Sequence, residues 1–242
     1  MRAANDALTT DQRFALMFEQ DSARQLLANG VHTLRDARYW DPVQDAVLTT
    51  LSIGAEKLLK ISLGLIELEA HGNWPSKKFM RETWGHGTNL MDSSLRAHLR
   101  PWALTSGADY VGGLVAAVDA DLAWAKILEA LDAYGRSGRF YYLDTLAEEQ
   151  PKWDSPANLW FEAESICIEQ HADLHHRQGP AMTSEASERF SSDLHLQMAH
   201  SIAGWWHMVT MAARHGAFGP HGVQFGVDAS PSMALPAVPV AR

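Results

Sequence analysis

The sequence predicts an all-α fold. Apolar residues recur near helical spacing in one segment after another. No segment alternates apolar and polar residues strongly enough for a half-buried strand, and the breaks between segments carry glycine, proline or capping residues. The chain has 242 residues, 46% hydrophobic and 20% charged, which is long enough to bury a substantial core and well away from a disordered composition.

Thr9 or Thr10 caps a first helix carrying Phe14, Leu16, Met17, Phe18, Leu26 and Leu27, with Gly30 as its stop. Pro42, after Asp41, marks the next helix start. From Val43 to Ala70 the apolar positions are too many for one narrow stripe, which predicts a long, mostly buried central helix. His71-Gly-Asn-Trp-Pro-Ser76 is punctuation, with Gly72 ending one helix and Ser76 opening the next. Residues 77–100 read as one or two short helices broken around Gly85 and Gly87 and closed by Pro101. Residues 111–134 read as one amphipathic helix, and Phe140-Tyr-Tyr-Leu143 as a short strand or a helical start. After Trp153 and Pro156 come helical patterns over 157–177 and 184–215. From Gly219 onward, glycine, proline and small residues without a period predict a mobile tail. The expected organisation is a helical bundle over 1–140, a C-terminal helical extension over 141–218 packed on it, and a flexible tail over 219–242.

The formal net charge of −9 argues against broad, sequence-independent nucleic-acid binding, which rests on lysine and arginine releasing counterions from phosphates. The charge is uneven, however. Between His71 and Arg100 stand Lys77, Lys78, Arg81, Arg96 and Arg100 against Glu82 and Asp92, whereas residues 144–173 hold eight acids and one lysine. A locally basic cleft is therefore compatible with an acidic chain. The single cysteine, Cys167, excludes an internal disulfide and a cysteine-based zinc site, and a reducing cytoplasm is the expected compartment. The N-terminal stretch lacks the apolar core of a secretory signal, and charges interrupt every apolar run, so no membrane span is expected.

An arginine and a histidine five to seven positions apart suit metal-independent RNA cleavage. The histidine moves a proton on or off the 2′-hydroxyl, and the arginine neutralises charge developing on the phosphate. Three pairs have this spacing: Arg81 with His86, Arg189 with His195, and Arg214 with His221. With 14 arginines and 12 histidines, chance supplies roughly two, so spacing alone decides nothing. His221 falls in the expected tail. Arg189 and His195, six apart on a helix, project about 120° from alignment. Arg81 and His86 flank the Trp84-Gly85 break in the basic segment, where both can reach a cleft, with Lys77, Lys78, Glu82 and Asn89 as candidate substrate-binding neighbours.

Gly54-Ala-Glu-Lys-Leu-Leu-Lys60 on the long helix, the tryptophan-containing turn, and Gly85-His86-Gly-Thr-Asn-Leu90 followed by Leu95 together resemble the HEPN superfamily. These are helical bundles of prokaryotic toxins, abortive-infection proteins and nucleotidyltransferase-associated domains. Tyr134-Gly-Arg-Ser-Gly-Arg-Phe140 looks like the segment that closes such bundles. The resemblance covers about half the chain. It implies an endoribonuclease in prokaryotic defence or toxin-antitoxin biology, with Arg81 and His86 catalytic, no cofactor, a homodimer, RNA as substrate, and an antitoxin or nucleotidyltransferase as partner. The glycine-histidine pair also resembles the noncatalytic, substrate-binding branch, which implies a binding or scaffolding module with a structural His86.

A metal-binding bundle is the third reading. His171 and His175, four apart, share a helical face among Glu162, Glu164, Glu169, Asp173 and His176. A di-iron signature would repeat a glutamate three residues before a histidine on two helices, and this chain offers only Asp173 with His176. Trp124, Trp205 and Trp206 fall in apolar patterns that suit core packing better than base stacking. Cys167 reads as a buried small hydrophobe. No serine sits in a glycine-flanked elbow, and no glycine-rich phosphate loop is present.

Overall fold

A computed structural model describes residues 8–147, 154–179 and 183–233. All regular elements among them are helical: α1 Thr10–Arg35, α2 Gln44–His71, the short α3 Lys77–Phe79 running into a π turn at Met80–Trp84, α4 Thr88–Ser106, α5 Asp109–Ala120, α6 Leu122–Arg136, α7 Tyr141–Leu146, α8 Pro156–Gln170, α9 Ala172–Arg177, α10 Ser184–Arg214 and α11 Gly219–Asp228. No helix among the described residues is long and apolar enough to cross a membrane.

Local signals set many boundaries. Thr9 and Gln12 form a reciprocal capping box at the start of α1. Gly72 ends α2 in the left-handed region at φ 73°. Trp74 then folds back over Gly64, where an added Cβ would stand 2.6 Å from the indole. Ser76 caps α3 through the Phe79 amide, and Thr183 caps α10 through Ala186.

Tertiary contact overrides the local signal elsewhere. Gly30 does not end α1. It is buried where α1 crosses α2, and a Cβ there would lie 2.5 Å from Leu51. Gly54 meets Leu27 across the same crossing. The first turn of α2 comes after Pro42, at Gln44. Pro101 lies inside α4, which continues to Ser106 and ends at left-handed Gly107. The single helix expected over 111–134 is two, because Asp121 leaves the helix of α5 and caps α6 through the Trp124 amide. His171 breaks the expected 157–177 helix with extended backbone between α8 and α9, without a side-chain cap to α9. Residues 140–143 are helical, forming the end of a 3-10 turn and the start of α7.

The expected tail is corrected over 219–233. α11 packs on α10 with Phe225 1% exposed, and a 3-10 turn follows at Pro231–Met233. Its glycines are there for closeness rather than looseness: a Cβ on Gly226 would lie 2.5 Å from the Thr210 carbonyl oxygen of α10. The remainder of the expected tail, 234–242, lies outside the described residues, as does Trp153.

α2 packs against α1, α4, α6 and α11, and α10 against α1, α5, α6, α8 and α11. The buried apolar side chains form one cluster from Leu8 to Ala229, so the 1–140 and 141–218 segments share a core. Trp124 stacks on Trp205 at 4.6 Å, and Trp40 on Trp160 at 4.3 Å. Asp92, fully buried, accepts the Trp205 indole N–H at 2.7 Å and Arg96 Nε at 2.8 Å, and Arg96 and Arg100 both reach Asp119 of α5. Burial pushes the Asp92 carboxyl above its ordinary range against the pull of Arg96 and Trp205. This ionic knot joins α4, α5 and α10.

Candidate functional site

The segment 76–89 holds His86 between two fixed points. On its N-terminal side Trp84 is buried, with Phe79 packed edge-on at 5.5 Å. The π turn closes through the Gly85 amide to the Met80 carbonyl at 3.0 Å, and Gly85 takes φ 53°, a conformation that favours glycine. On the C-terminal side, α4 has no capping side chain of its own. Asp132 of α6 supplies the cap instead, accepting from the Asn89 amide at 3.1 Å and the Thr88 hydroxyl at 3.2 Å, while Arg136 Nε holds its other oxygen at 2.8 Å. A Cβ on Gly87 would stand 2.6 Å from the Arg136 guanidinium, the movable end of a long side chain.

So anchored, His86 reaches the face of α2. Its Nδ1 lies 3.0 and 3.2 Å from the two carboxylate oxygens of Glu56, and Lys60 Nζ lies 2.7 Å from the same carboxylate. A carboxylate only accepts, so Nδ1 carries a proton toward Glu56, and in the neutral ring Nε2 is the basic nitrogen. His86 stays 65% exposed while the Glu56 side chain is 19% exposed. The imidazole lines a cavity of about 210 Å³ with Thr49, Ser52, Glu56, Tyr134 and Arg139. The Tyr134 hydroxyl is fixed 2.7 Å from Thr49 Oγ1, and the exposed Arg139 has its guanidinium 5.1 Å from the Phe140 ring.

The other predicted residues are distributed differently. Arg81 is 72% exposed, pairs with its neighbour Glu82 at 3.5 Å, and does not line the His86 cavity. Lys77, Lys78 and Glu82 are exposed on the same short segment. Asn89 contributes its backbone to the α4 cap and is half-buried. His195 is 2% exposed with Nδ1 2.9 Å from the Ala37 carbonyl, a core position, while Arg189 lies outside on Glu185. His221 is on α11 rather than on a tail.

The metal reading is not assembled. His171 Nδ1 donates to the Cys167 carbonyl at 2.8 Å, and among the described residues no group of three or more histidine, cysteine or acidic side chains is placed to hold a metal ion. Cys167 is buried, and burial pushes its thiol up to about 12.

Sequence reasoning did not place Glu56 or Arg139 beside His86. Glu56 stands 30 positions from His86, and its only local signal is a carboxylate on a largely buried helix, four before Lys60. Arg139 lies in the bundle-closing segment, where nothing in the spacing connects it to His86. Comparison with protein-family models, curated proteins and solved structures gives no match for this chain.

Proposed function

We propose that this chain is a HEPN-like, metal-independent endoribonuclease of prokaryotic defence or toxin-antitoxin type, acting as a homodimer with His86 as its proton-transfer group. The observation that carries the reading is the Glu56 carboxylate on His86 Nδ1 beside an open cavity. It orients the ring, leaves Nε2 for substrate, and stabilises the imidazolium that forms when a proton is taken up. His86 Nε2 takes the proton of a ribose 2′-hydroxyl as that oxygen attacks the adjacent phosphorus. The bond from phosphorus to the 5′ oxygen breaks, a 2′,3′-cyclic phosphate forms, and the 5′ oxygen leaves with a proton from the equivalent histidine of a second copy. Arg139, in the same cavity, neutralises the phosphate, a role the spacing had given to Arg81. Arg81, Lys77 and Lys78 are exposed on the segment that ends at His86 and hold flanking phosphates.

The test is cleavage of single-stranded RNA in EDTA by folded variants. Arg139→Ala lowers the rate about 10²-fold or more, as loss of one charge-stabilising donor does. Arg81→Ala acts mainly through affinity and salt dependence.

A second reading, a noncatalytic binding or scaffolding module, is favoured by the same Glu56 contact, since that bond also ties the turn to its own bundle. In that case the wild type does not cleave, and His86→Ala lowers stability instead.

A further inference from the structure

A second cavity, of about 260 Å³, adjoins the first and shares Tyr134 and Arg139 with it. It opens at the N-terminus of α8, whose first residues Ser155, Pro156 and Ala157 form one side, while Asp41 and Asp45, flanking the start of α2, contribute two carboxylates.

Ser155 is the distinctive residue. It holds the N-cap position of α8, where a serine hydroxyl ordinarily accepts from the helix's own first turn, yet it makes no such bond. The residue is 4% exposed, and its hydroxyl has no hydrogen-bond partner among the described residues. A buried hydroxyl left unpaired costs free energy comparable to a lost hydrogen bond, which a ligand would recover. The cavity thus presents donors on one side, from Ser155 and the Ala157 amide, since Pro156 between them carries no N–H, and carboxylate acceptors on the other. Its volume lies below the roughly 300 Å³ at which pockets for drug-sized ligands begin, so it suits one base rather than a whole nucleotide. The exposed ring of Tyr142 lines it as well, and is available for stacking.

We infer that this cavity is a guanine pocket, receiving the unpaired base next to the phosphate held at His86 and Arg139. Guanine carries the acceptors O6 and N7 beside the donors N1–H and the exocyclic amine, whereas adenine places an exocyclic donor where O6 would be. O6 and N7 face Ser155 and the Ala157 amide, and N1–H and the amine face Asp41 and Asp45. Arg139, common to both cavities, stays with the phosphate. The inference rests on the proposed RNA substrate and specifies which unpaired base that substrate carries.

Isothermal titration of the full chain with guanosine 3′-monophosphate and adenosine 3′-monophosphate tests it, alongside mapping of cut sites in a mixed-sequence RNA. The guanine nucleotide binds at least about tenfold more tightly, the scale of one good polar pair to a base. Asp41→Asn with Asp45→Asn brings the two nucleotides to equal affinity, and Ser155→Ala weakens guanosine 3′-monophosphate selectively. Circular dichroism melts establish that each variant is folded. Equal binding of both nucleotides by the wild type, or binding of neither at millimolar concentration, overturns the pocket even if RNA is cut. Guanine-selective binding that Asp41→Asn with Asp45→Asn abolishes supports the pocket, and if RNA remains uncut it is the ribonuclease reading that fails.

Discussion

Replacing Asp132 by alanine tests how the His86 turn is held. Asp132 is 7% exposed and accepts from the Thr88 hydroxyl and the Asn89 amide, serving as the N-cap that α4 lacks within its own chain segment. Loss of a cap costs about 1 kcal/mol. Thr88 is 1% exposed, so its hydroxyl loses its cross-helix partner away from water, at a further cost of about 1–2 kcal/mol. The Arg136–Asp132 ion pair, with the arginine side chain 34% exposed, is screened by solvent and adds little to the sum. The sum is about 2–3 kcal/mol, which for a chain of this size lowers Tm by roughly 5–10 °C. Urea and thermal unfolding followed at 222 nm measure it. In a double-mutant cycle Thr88→Ala and Asp132→Ala couple by about 1 kcal/mol, because they remove opposite ends of one bond. An Asp132→Ala variant within about 0.5 kcal/mol of wild type, an ordinary surface effect, would refute the view that α6 caps α4 and fixes His86.

Gly54→Ala destabilises by about 1–3 kcal/mol in the same assays, because the new Cβ would sit 2.9 Å from the Leu27 side chain and 3.0 Å from its backbone nitrogen. An exposed helical glycine would instead gain from the same change, so the sign alone reports the close crossing. Burial pushes the Glu164 carboxyl from 4.5 up to about 7, with Asp41 acting in the same direction and the Trp160 indole opposing without completing a hydrogen bond. The folded state therefore holds this proton more tightly than the unfolded chain. Its contribution to stability is complete below about pH 4.5 and is lost as pH rises through about 7. The stability of wild type relative to Glu164→Gln should fall by up to about 3 kcal/mol between pH 4.5 and 8, measured by urea unfolding at a series of pH values. A pH-independent difference would show that the carboxyl is well solvated.

Much of the helical framework was legible because its signals are local. The Thr9 cap, the Gly72 stop, the Ser76 cap and the apolar density of α2 all act within a few residues, where sequence and structure coincide. Gly30, Pro101 and the α11 glycines were misread for one reason: the same residue types that end helices also permit close packing or persist inside them. Only the partner helix decides between these roles. Asp121 shows the converse, a capping residue hidden inside an unbroken apolar period. Around His86, the break between two helices was legible through the glycines and tryptophan beside it. The orientation of His86 was not, since that depends on Glu56 and on Asp132, which other helices bring into reach. Spacing along the chain pairs Arg81 with His86, whereas the arginine that lines the cavity beside His86 is Arg139, just beyond the end of α6, which packs on α2.

The most direct measurement is the rate at which purified protein cleaves a labelled single-stranded RNA in EDTA, for wild type and for His86→Ala shown to be folded. The account predicts cleavage by wild type to a 2′,3′-cyclic phosphate product and a loss of about 10²- to 10⁴-fold in the variant, the scale of one positioned proton-transfer group. Absence of cleavage by wild type, or equal rates for the two folded proteins, would contradict it and leave His86 as a strut between its turn and α2.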